Sequence, residues 1–412
     1  MQKPKVVLGV SGGIAAYKAC ELLRRLTESG HDVRVVPTES SLHFVGAATW
    51  SALSGHPVST EVWHDVHEVP HVRIGQGADL VVVAPATADM LAKAAHGLAD
   101  DLLTNTLLTA RCPVVFAPAM HTEMWEHPAT QENVATLRRR GAVVIEPAVG
   151  RLTGVDTGKG RLPDPGEIFE VCRRVLTRGP AEPDLAGRHV VISAGGTREP
   201  LDPVRYLGNR SSGKQGYALA RTAVARGARV TLIEANTGLP DPAGADVLRA
   251  GTAVQLREAV LKAAADADVV VMAAAVADFR PAEYAQGKIK KKDGQEPAAV
   301  ALVRNPDILA EVAAGRARPE QIVVGFAAET DDVLANGRQK LRRKGCDLLV
   351  VNEVGERKTF GSEENEAVVL AADGGETPVP YGPKEALADT VWDLVVTRFR
   401  QISHSPLRGS ES

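Results

Sequence analysis

The feature that most restricts how this chain can fold is a series of short apolar runs that do not alternate. Residues 5–10, 32–37, 80–84, 114–117 and 142–145 are dominated by Val, Ile, Leu and Ala. A strand with one wet face alternates apolar and polar residues. A strand covered on both faces need not, and such strands belong to parallel sheets flanked by helices. Stretches of helical composition separate the runs, at 14–29, 41–54, 101–110 and 123–140. Strand–helix alternation of this kind folds through right-handed crossovers into a doubly wound sheet. Arg178-Gly-Pro-Ala-Glu-Pro-Asp184 interrupts the pattern with the composition of a linker. The pattern then restarts, with strands at 189–193, 229–234, 268–272, 321–325 and 347–350 and helices at 214–226, 254–265, 331–344 and 383–400. We therefore expect an α/β protein of two doubly wound, mostly parallel-sheet (Rossmann-like) domains. They span 1–178 and 187–400, with a linker at 179–186 and a disordered tail at 401–412.

The 412 residues leave room for two or three domains, and 44% apolar with 24% charged residues is the balance of a folded protein. That excludes a disordered, collagen-like or coiled-coil chain. A net charge of −3 argues against a protein that coats nucleic acid. Cys20, Cys112, Cys172 and Cys346 form no CxxC pair, so neither a zinc site nor a disulfide framework is expected. No signal-peptide pattern and no apolar run near 20 residues is present. The expectation is a reduced, cytoplasmic protein.

Both halves open on a glycine turn, Ser11-Gly-Gly and Ser193-Ala-Gly-Gly. Such a turn between a first strand and a first helix offers backbone N–H groups to a phosphate, or only lets helix and strand pack closely. Neither turn is a GxGxxG fingerprint. Gly208-Asn-Arg-Ser-Ser-Gly213-Lys214-Gln215 matches GxxxxGK[ST] except at Gln215, which lacks the hydroxyl for Mg2+. No apolar strand leads into it, so it is not a Walker loop, although it can still hold a phosphate or carboxylate. The run Lys288-Ile-Lys290-Lys291-Lys292 is either solvated surface or, following Asp278 at a strand end, part of a triphosphate and Mg2+ site. His64, His67 and His71 cluster without the Cys or Glu partners of a known metal motif. By pattern His71 is a surface or capping histidine, or a base.

Longer motifs narrow these alternatives. The first half carries Ser11-Gly-Gly-Ile-Ala-Ala-Tyr-Lys18, Ala84-Pro-Ala-Thr-Ala-Asp89 and Pro118-Ala-Met120-His-Thr-Glu-Met124-Trp125. The second carries Gly195-Gly-Thr-Arg-Glu-Pro-Leu-Asp-Pro-Val-Arg205, Asn209-Arg-Ser-Ser-Gly-Lys, Ala273-Ala-Ala-Val-Ala-Asp278, Lys288-Ile-Lys-Lys and Val324-Gly-Phe-Ala-Ala-Glu-Thr330. Over about residues 5–400 the chain resembles the bifunctional phosphopantothenoylcysteine decarboxylase / phosphopantothenate–cysteine ligase family of bacterial coenzyme A synthesis.

The resemblance implies a flavodoxin-like, flavin-dependent cysteine decarboxylase fold for the first half, with FMN held between subunits of a trimer. Gly12, Ile14, Ala15, Thr38 and Thr87 would contact FMN. His71 would be the catalytic base, and Met120, His121 and Met124 would meet the substrate. A carboxylate next to an amide has no electron sink for the loss of CO2. Flavin supplies one by oxidising the neighbouring thiol to a thioaldehyde, and the ene-thiol left after CO2 departs is then reduced and protonated. This sequence departs from the family in two places. His121 stands where the family has an asparagine that binds the substrate carboxylate, and it too can donate a hydrogen bond. The family's proton-donor cysteine is absent from residues 152–161, where Thr153, Asp156 or a water could substitute. The expectation is Asp156 or a bound water.

The second half is similar to CTP-dependent ligases. There the carboxylate of 4′-phosphopantothenate attacks the α-phosphate of CTP, and the resulting acyl-cytidylate is attacked by the amine of cysteine. The resemblance makes Asn209 and Lys288 catalytic. It sets Ala275, Asp278, Lys288, Asn305, Pro306, Asp307, Ile308, Phe326, Lys340 and Lys344 around CTP. Arg205, Asn209 and Ala275 would meet phosphopantothenate or the intermediate, and Asp278 the Mg2+. It further implies a homo-oligomer acting on small molecules, a dodecamer of decarboxylase trimers joined through ligase dimers, with no nucleic acid or membrane partner. Two other readings are a prenyl-flavin synthase or peptide cysteine decarboxylase in the first half, and a nucleotide-sensing scaffold without catalysis. The ligase-like second half argues against the former, and the filled catalytic places against the latter.

Overall fold

The structure, a computed structural model, describes residues 3–58, 70–151, 157–290, 299–329, 332–353 and 364–404. It divides into two compact units, one formed by the chain up to Glu182, the other by Pro183–Asp241 with the chain from Ala245 onward.

In the first unit the strands Asp32–Pro37, Lys5–Val10, Leu80–Ala86, Val114–Pro118 and Val143–Val144 lie side by side in that order, all parallel. In chain order this is 2-1-3-4-5, the flavodoxin-like arrangement. Every residue of Leu80–Ala86 is buried, as its unbroken apolar run requires. Val6, Leu8 and Val10 pack against the helices Ala16–Glu28 and Pro165–Arg178. Val7, Val81 and Val83 pack on the opposite face against Ala88–His96 and Leu102–Thr109. The expected helix at 41–54 is instead a tight turn, Glu39–His43, and a helix, Ala47–Ser54. The one expected at 123–140 is split into Thr122–Glu126 and Pro128–Arg139, because Pro128 has no N–H to continue the first and so begins the second. The helices Pro70–Gly77 and Ala88–His96 and the hairpin of Ala148–Arg151 with Thr157–Arg161 were not foreseen.

The main sheet of the second unit has eight described strands in the order Ala245–Arg249, Arg229–Ala235, His189–Gly195, Val269–Met272, Ile322–Glu329, Leu348–Glu353, Glu364–Ala371 and Glu376–Pro383. The first six are parallel, giving the 3-2-1-4-5-6 order of dinucleotide-binding folds. The last two extend the sheet as an antiparallel hairpin. Tyr217 and Trp392, from the helices Lys214–Ala225 and Lys384–His404, fill the core on one face. The helices Ala253–Ala264, Ile308–Ala314 and Val333–Lys344 cover the other. Two boundaries differ from the sequence reading. Leu185 is fully buried in this core and Asp184 pairs with Arg226 at 2.6 Å, so the end of the expected linker belongs to the second unit. The final helix continues through His404, where disorder was expected from 401; residues 405–412 lie outside the described residues.

Candidate active sites

In open α/β sheets the ligand crevice opens at the carboxyl ends of the strands, where the strand order reverses. In the first unit that point lies between Lys5–Val10 and Leu80–Ala86. The Ser11 hydroxyl joins the two loops that leave it. It donates to the Pro85 carbonyl at 2.7 Å and accepts from the Thr87 N–H at 3.0 Å. Thr87 and Thr38 cap the elements that follow their strands, accepting from the N–H groups of Met90 and Ser41. A Cβ on Gly12 would lie 2.3 Å from the Ser40 hydroxyl, so glycine lets this loop approach the turn Glu39–His43 after Asp32–Pro37. Gly12, Thr38 and Thr87 are thus gathered at one edge. Half-buried Ala15 and Ile14, which is 62% exposed, stand beside them. Narrow backbone clearance, a helix start and an uncovered apolar side chain together suit a flat ring bearing a phosphate.

His71 lies in the first turn of Pro70–Gly77. This helix feeds the start of Leu80–Ala86, so it runs back against the strands and its first turn points toward their carboxyl edge. The His71 carbonyl accepts from the Thr109 hydroxyl at 2.8 Å. Its Nδ1 is buried and has no hydrogen-bond partner among the described residues. Leaving such an atom unpaired is costly, and a purely structural role does not account for it.

The Met120-His121 segment reaches the same edge. The Ala119 N–H donates to the Ala86 carbonyl at 3.1 Å, and the Met120 N–H to Gly160 at 2.9 Å. His121 precedes Thr122–Glu126 without making a side-chain capping bond, and Met124 is exposed. The hairpin strand Thr157–Arg161 is pinned beside it by Lys159, which pairs with Glu146 at 2.7 Å and lies 5.9 Å from the Trp125 ring centre. Burial alone would raise the Glu146 carboxyl, but Lys159 and Arg138 outweigh it and hold it below its ordinary value. Thr153 and Asp156 lie outside the described residues.

In the second unit the order reverses between His189–Gly195 and Val269–Met272. The Ala275 N–H donates to Gly195 at 2.8 Å and the Thr197 N–H to Ala275 at 3.2 Å, tying the two strand ends. A cavity of about 850 Å³ opens beyond them. Its lining includes Asn209, Ala275, Asp278, Asn305, Pro306, Asp307, Ile308, Phe326, Lys340 and Lys344. Asn209 and Asn305 donate side-chain N–H groups to the carbonyls of Val276 and Ala277, at 3.0 and 2.8 Å. Gly213, with φ 75°, turns the chain into Lys214–Ala225, and a Cβ there would meet Thr237 at 2.3 Å. The start of that helix, with Ser211, Ser212 and Lys214, faces the cavity as an anion-binding edge. Lys344 is paired with Asp307. Burial opposes ionisation of Asp307, yet Lys344 holds its carboxyl below the ordinary value. Asn352, Asn365 and Lys384 also line the cavity. No motif marks them, because the last strands and the final helix bring them in from distant sequence.

Two expected residues do not line this cavity. Arg205 and Lys288 sit on an arm made by pairing Arg198–Pro200 with Tyr206–Gly208 and Phe279–Pro281 with Leu302–Arg304. Arg205 is committed there to Asp202, and Lys288 is exposed. Among the described residues no group of three or more His, Cys, Asp or Glu could hold a metal ion; Asp278 and Asp307 both line the cavity, and Asp307 is paired with Lys344.

Residues 1–177 match the family described as Flavoprotein, and residues 185–399 the DNA/pantothenate metabolism flavoprotein C-terminal domain. The chain is 62% identical over 403 residues to the coenzyme A biosynthesis bifunctional protein CoaBC of Mycolicibacterium smegmatis, covering 95% of this chain and 97% of that one. The chain belongs to the CoaBC family. The CoaBC of Bacillus subtilis is 44% identical over 383 residues, 92% of this chain and 93% of its own. Among solved structures, a CoaBC C-terminal domain aligns at 31% identity and TM-score 0.46, over 53% of this chain and all of that one. A PPC decarboxylase mutant complexed with pantothenoylaminoethenethiol aligns at 34% identity and TM-score 0.39, over 42% of this chain and 97% of that one.

Proposed function

We propose that the second unit joins 4′-phosphopantothenate to cysteine using CTP, and that the first decarboxylates the product to 4′-phosphopantetheine with FMN. The observation that carries this reading is the cavity of the second unit. Nine of the ten residues that the family resemblance assigns to CTP converge on it from four separate stretches of chain.

In the first unit, FMN supplies when bound the electron sink that the substrate lacks. The residues at the sheet edge fit that group. Gly12, Ile14, Ala15, Thr38 and Thr87 form its seat. His71 presents a buried ring nitrogen, unpartnered among the described residues, to take the thiol proton. Met120 and Met124 flank the substrate, and His121 donates a hydrogen bond to its carboxylate. Asp156 or a water returns the final proton. If Asp156 does so, Asp156→Asn accumulates the ene-thiol; unchanged turnover excludes Asp156.

In the second unit, the start of Lys214–Ala225 with Lys340 and Lys344 balances triphosphate charge. Asp278 holds a Mg2+ that arrives with the nucleotide, since Mg2+ needs only one or two carboxylates when phosphates complete its shell. A carboxylate oxygen of phosphopantothenate bonds to the α-phosphorus and pyrophosphate leaves. The cysteine amine then attacks the acyl carbon and CMP leaves. Arg205, Asn209 and Ala275 hold the acyl portion. Lys288, delivered from the arm, supplies positive charge where it builds on the α-phosphate.

The exposed apolar side chains of Val204, Tyr206, Leu207, Phe279, Ile289 and Leu302 on that arm support assembly through ligase dimers, and with decarboxylase trimers a dodecamer. The four free cysteines fit a reducing cytoplasm. No described helix is long and apolar enough to cross a membrane. The test is a single reaction with FMN, Mg2+, CTP, cysteine and 4′-phosphopantothenate, read by mass spectrometry. Formation of 4′-phosphopantetheine supports both activities. Arrest at phosphopantothenoylcysteine leaves the ligase and refutes the decarboxylase, whereas arrest at the ene-thiol shows loss of CO2 and places the failure at the final reduction and protonation, where this sequence departs from the family. Absence of pyrophosphate release refutes the ligase.

A further inference from the structure

Asp202 belongs to none of the roles above, yet its carboxylate accepts five hydrogen bonds. Its side chain is fully buried. Oδ1 accepts the N–H groups of Val204 and Arg205, both at 2.8 Å. Oδ2 accepts from Arg205 Nε at 2.9 Å and Nη2 at 2.6 Å, and from the N–H of Ile289 at 3.1 Å. Arg205 Nη2 in turn donates to the Ile289 carbonyl at 2.8 Å. Both polar groups of Ile289 are therefore held, one by each member of the Asp202–Arg205 pair. The N–H of Ile289 belongs to the peptide plane that follows Lys288, so fixing it fixes the point from which the lysine departs. The contact joins parts of the chain 87 residues apart. It is reinforced by the Ala285 N–H, which donates to Leu201 at 3.1 Å.

We propose that Asp202 is a positioning residue for the ligase reaction, a buried clasp that docks the Lys288–Ile289 peptide on Arg205 and so sets where Lys288 is presented. This rests on the ligase reading above. The division of labour between the two oxygens makes it testable. Oδ1 closes the local turn, and Oδ2 alone reaches the Arg205 guanidinium and Ile289. An asparagine can keep the first set while turning an NH2 group toward the guanidinium and the Ile289 N–H, donor against donor. Arg205 also holds the Asp202 carboxyl well below the usual carboxylate range, so the clasp stays charged at neutral and mildly acidic pH.

The experiment compares the full chain with Asp202→Asn and Ile289→Pro. The second variant removes the N–H that Asp202 accepts without altering either member of the Asp202–Arg205 pair, while also fixing φ at 289 and restricting the backbone of Lys288. Pyrophosphate release from CTP and 4′-phosphopantothenate is measured alongside decarboxylation of phosphopantothenoylcysteine and hydrogen exchange of a peptide spanning 285–290. Both variants are expected to lose at least tenfold in kcat for pyrophosphate release, with the KM for CTP and decarboxylation within twofold of wild type. Exchange in the peptide should accelerate in Asp202→Asn. Either variant keeping the wild-type kcat overturns the clasp, as does unchanged exchange or a rise in the CTP KM that accounts for the loss. If Asp202→Asn unfolds the second unit, Asp202→Glu and Ile289→Pro replace it, and a wild-type kcat in either overturns the clasp. A wild-type chain that releases no pyrophosphate overturns the ligase reading and the clasp together. Release by wild type and variants alike overturns the clasp alone.

Discussion

Gly75 offers a way to displace His71 without touching it. The glycine lies where Pro70–Gly77 crosses Leu102–Thr109. A Cβ there would stand 2.3 Å from the Thr109 hydroxyl, 2.7 Å from the Thr106 carbonyl oxygen and 3.0 Å from the Ala110 nitrogen. The hydroxyl can rotate away, but the other two atoms are main chain. Reaching ordinary contact takes roughly 0.7 Å of separation between the helices. That movement carries His71 with it and strains the 2.8 Å bond from Thr109 to its carbonyl. Alanine in a helix interior gains about 1 kcal/mol over glycine, while overpacking costs about 1–3 kcal/mol. Gly75→Ala should therefore lose no more than about 2 kcal/mol and stay folded. The catalytic cost is larger, because a displacement near 1 Å can lower a rate about 100-fold. We expect decarboxylation of phosphopantothenoylcysteine to fall between about 10- and 100-fold, with pyrophosphate release unchanged as the internal control. Decarboxylation within twofold of wild type, in a variant whose melting temperature shows that the alanine has been accommodated, would refute either the rigidity of this crossing or the role of His71.

Three further outcomes follow from single contacts. Lys288→Gln should abolish pyrophosphate release and leave decarboxylation intact; loss of both activities would count against independent units. The Glu146 carboxyl titrates lower in the folded chain than its ordinary 4.5, so its pairing with Lys159 and Arg138 stabilises above that value and is lost as pH falls through the depressed one. Urea midpoints of wild type and Glu146→Gln for the first unit's transition, followed by the fluorescence of the four tryptophans, should differ at pH 7 and converge in acid. Burial pushes the Cys172 thiol up to about 12 and Cys346 to about 11. A thiol reagent at pH 8 should therefore find at most Cys20 and Cys112 in the native protein and all four after unfolding.

What the sequence made legible is what burial on both faces writes into it. Leu80–Ala86 and Val269–Met272 are buried throughout, and their unbroken apolar runs announced the strands. Ala245–Arg249 and Glu364–Ala371 are only partly covered, lose that signature, and went unseen. Strand order was not legible in the apolar runs themselves; the flavodoxin-like order of the first unit followed only from the resemblance. Two halves that open on nearly the same glycine turn close into sheets of different permutation, because order depends on which way each crossover returns. The candidate sites divide in the same manner. Residues at the ends of buried strands, such as Gly12, Thr87 and Ala275, sit where the pattern puts them. Arg205 and Lys288 stand on short, exposed antiparallel pairs, and the geometry that holds them runs through Asp202, whose burial nothing in the linear sequence reveals.

The burial of Leu185 also sets where this protein can be divided. A gene cut to begin at residue 187 would discard the leucine, leave a hole beneath Arg226 and strip that arginine of Asp184. A cut after Glu182 would keep both. Separate production of the halves therefore turns on four residues that composition alone would class as dispensable spacer.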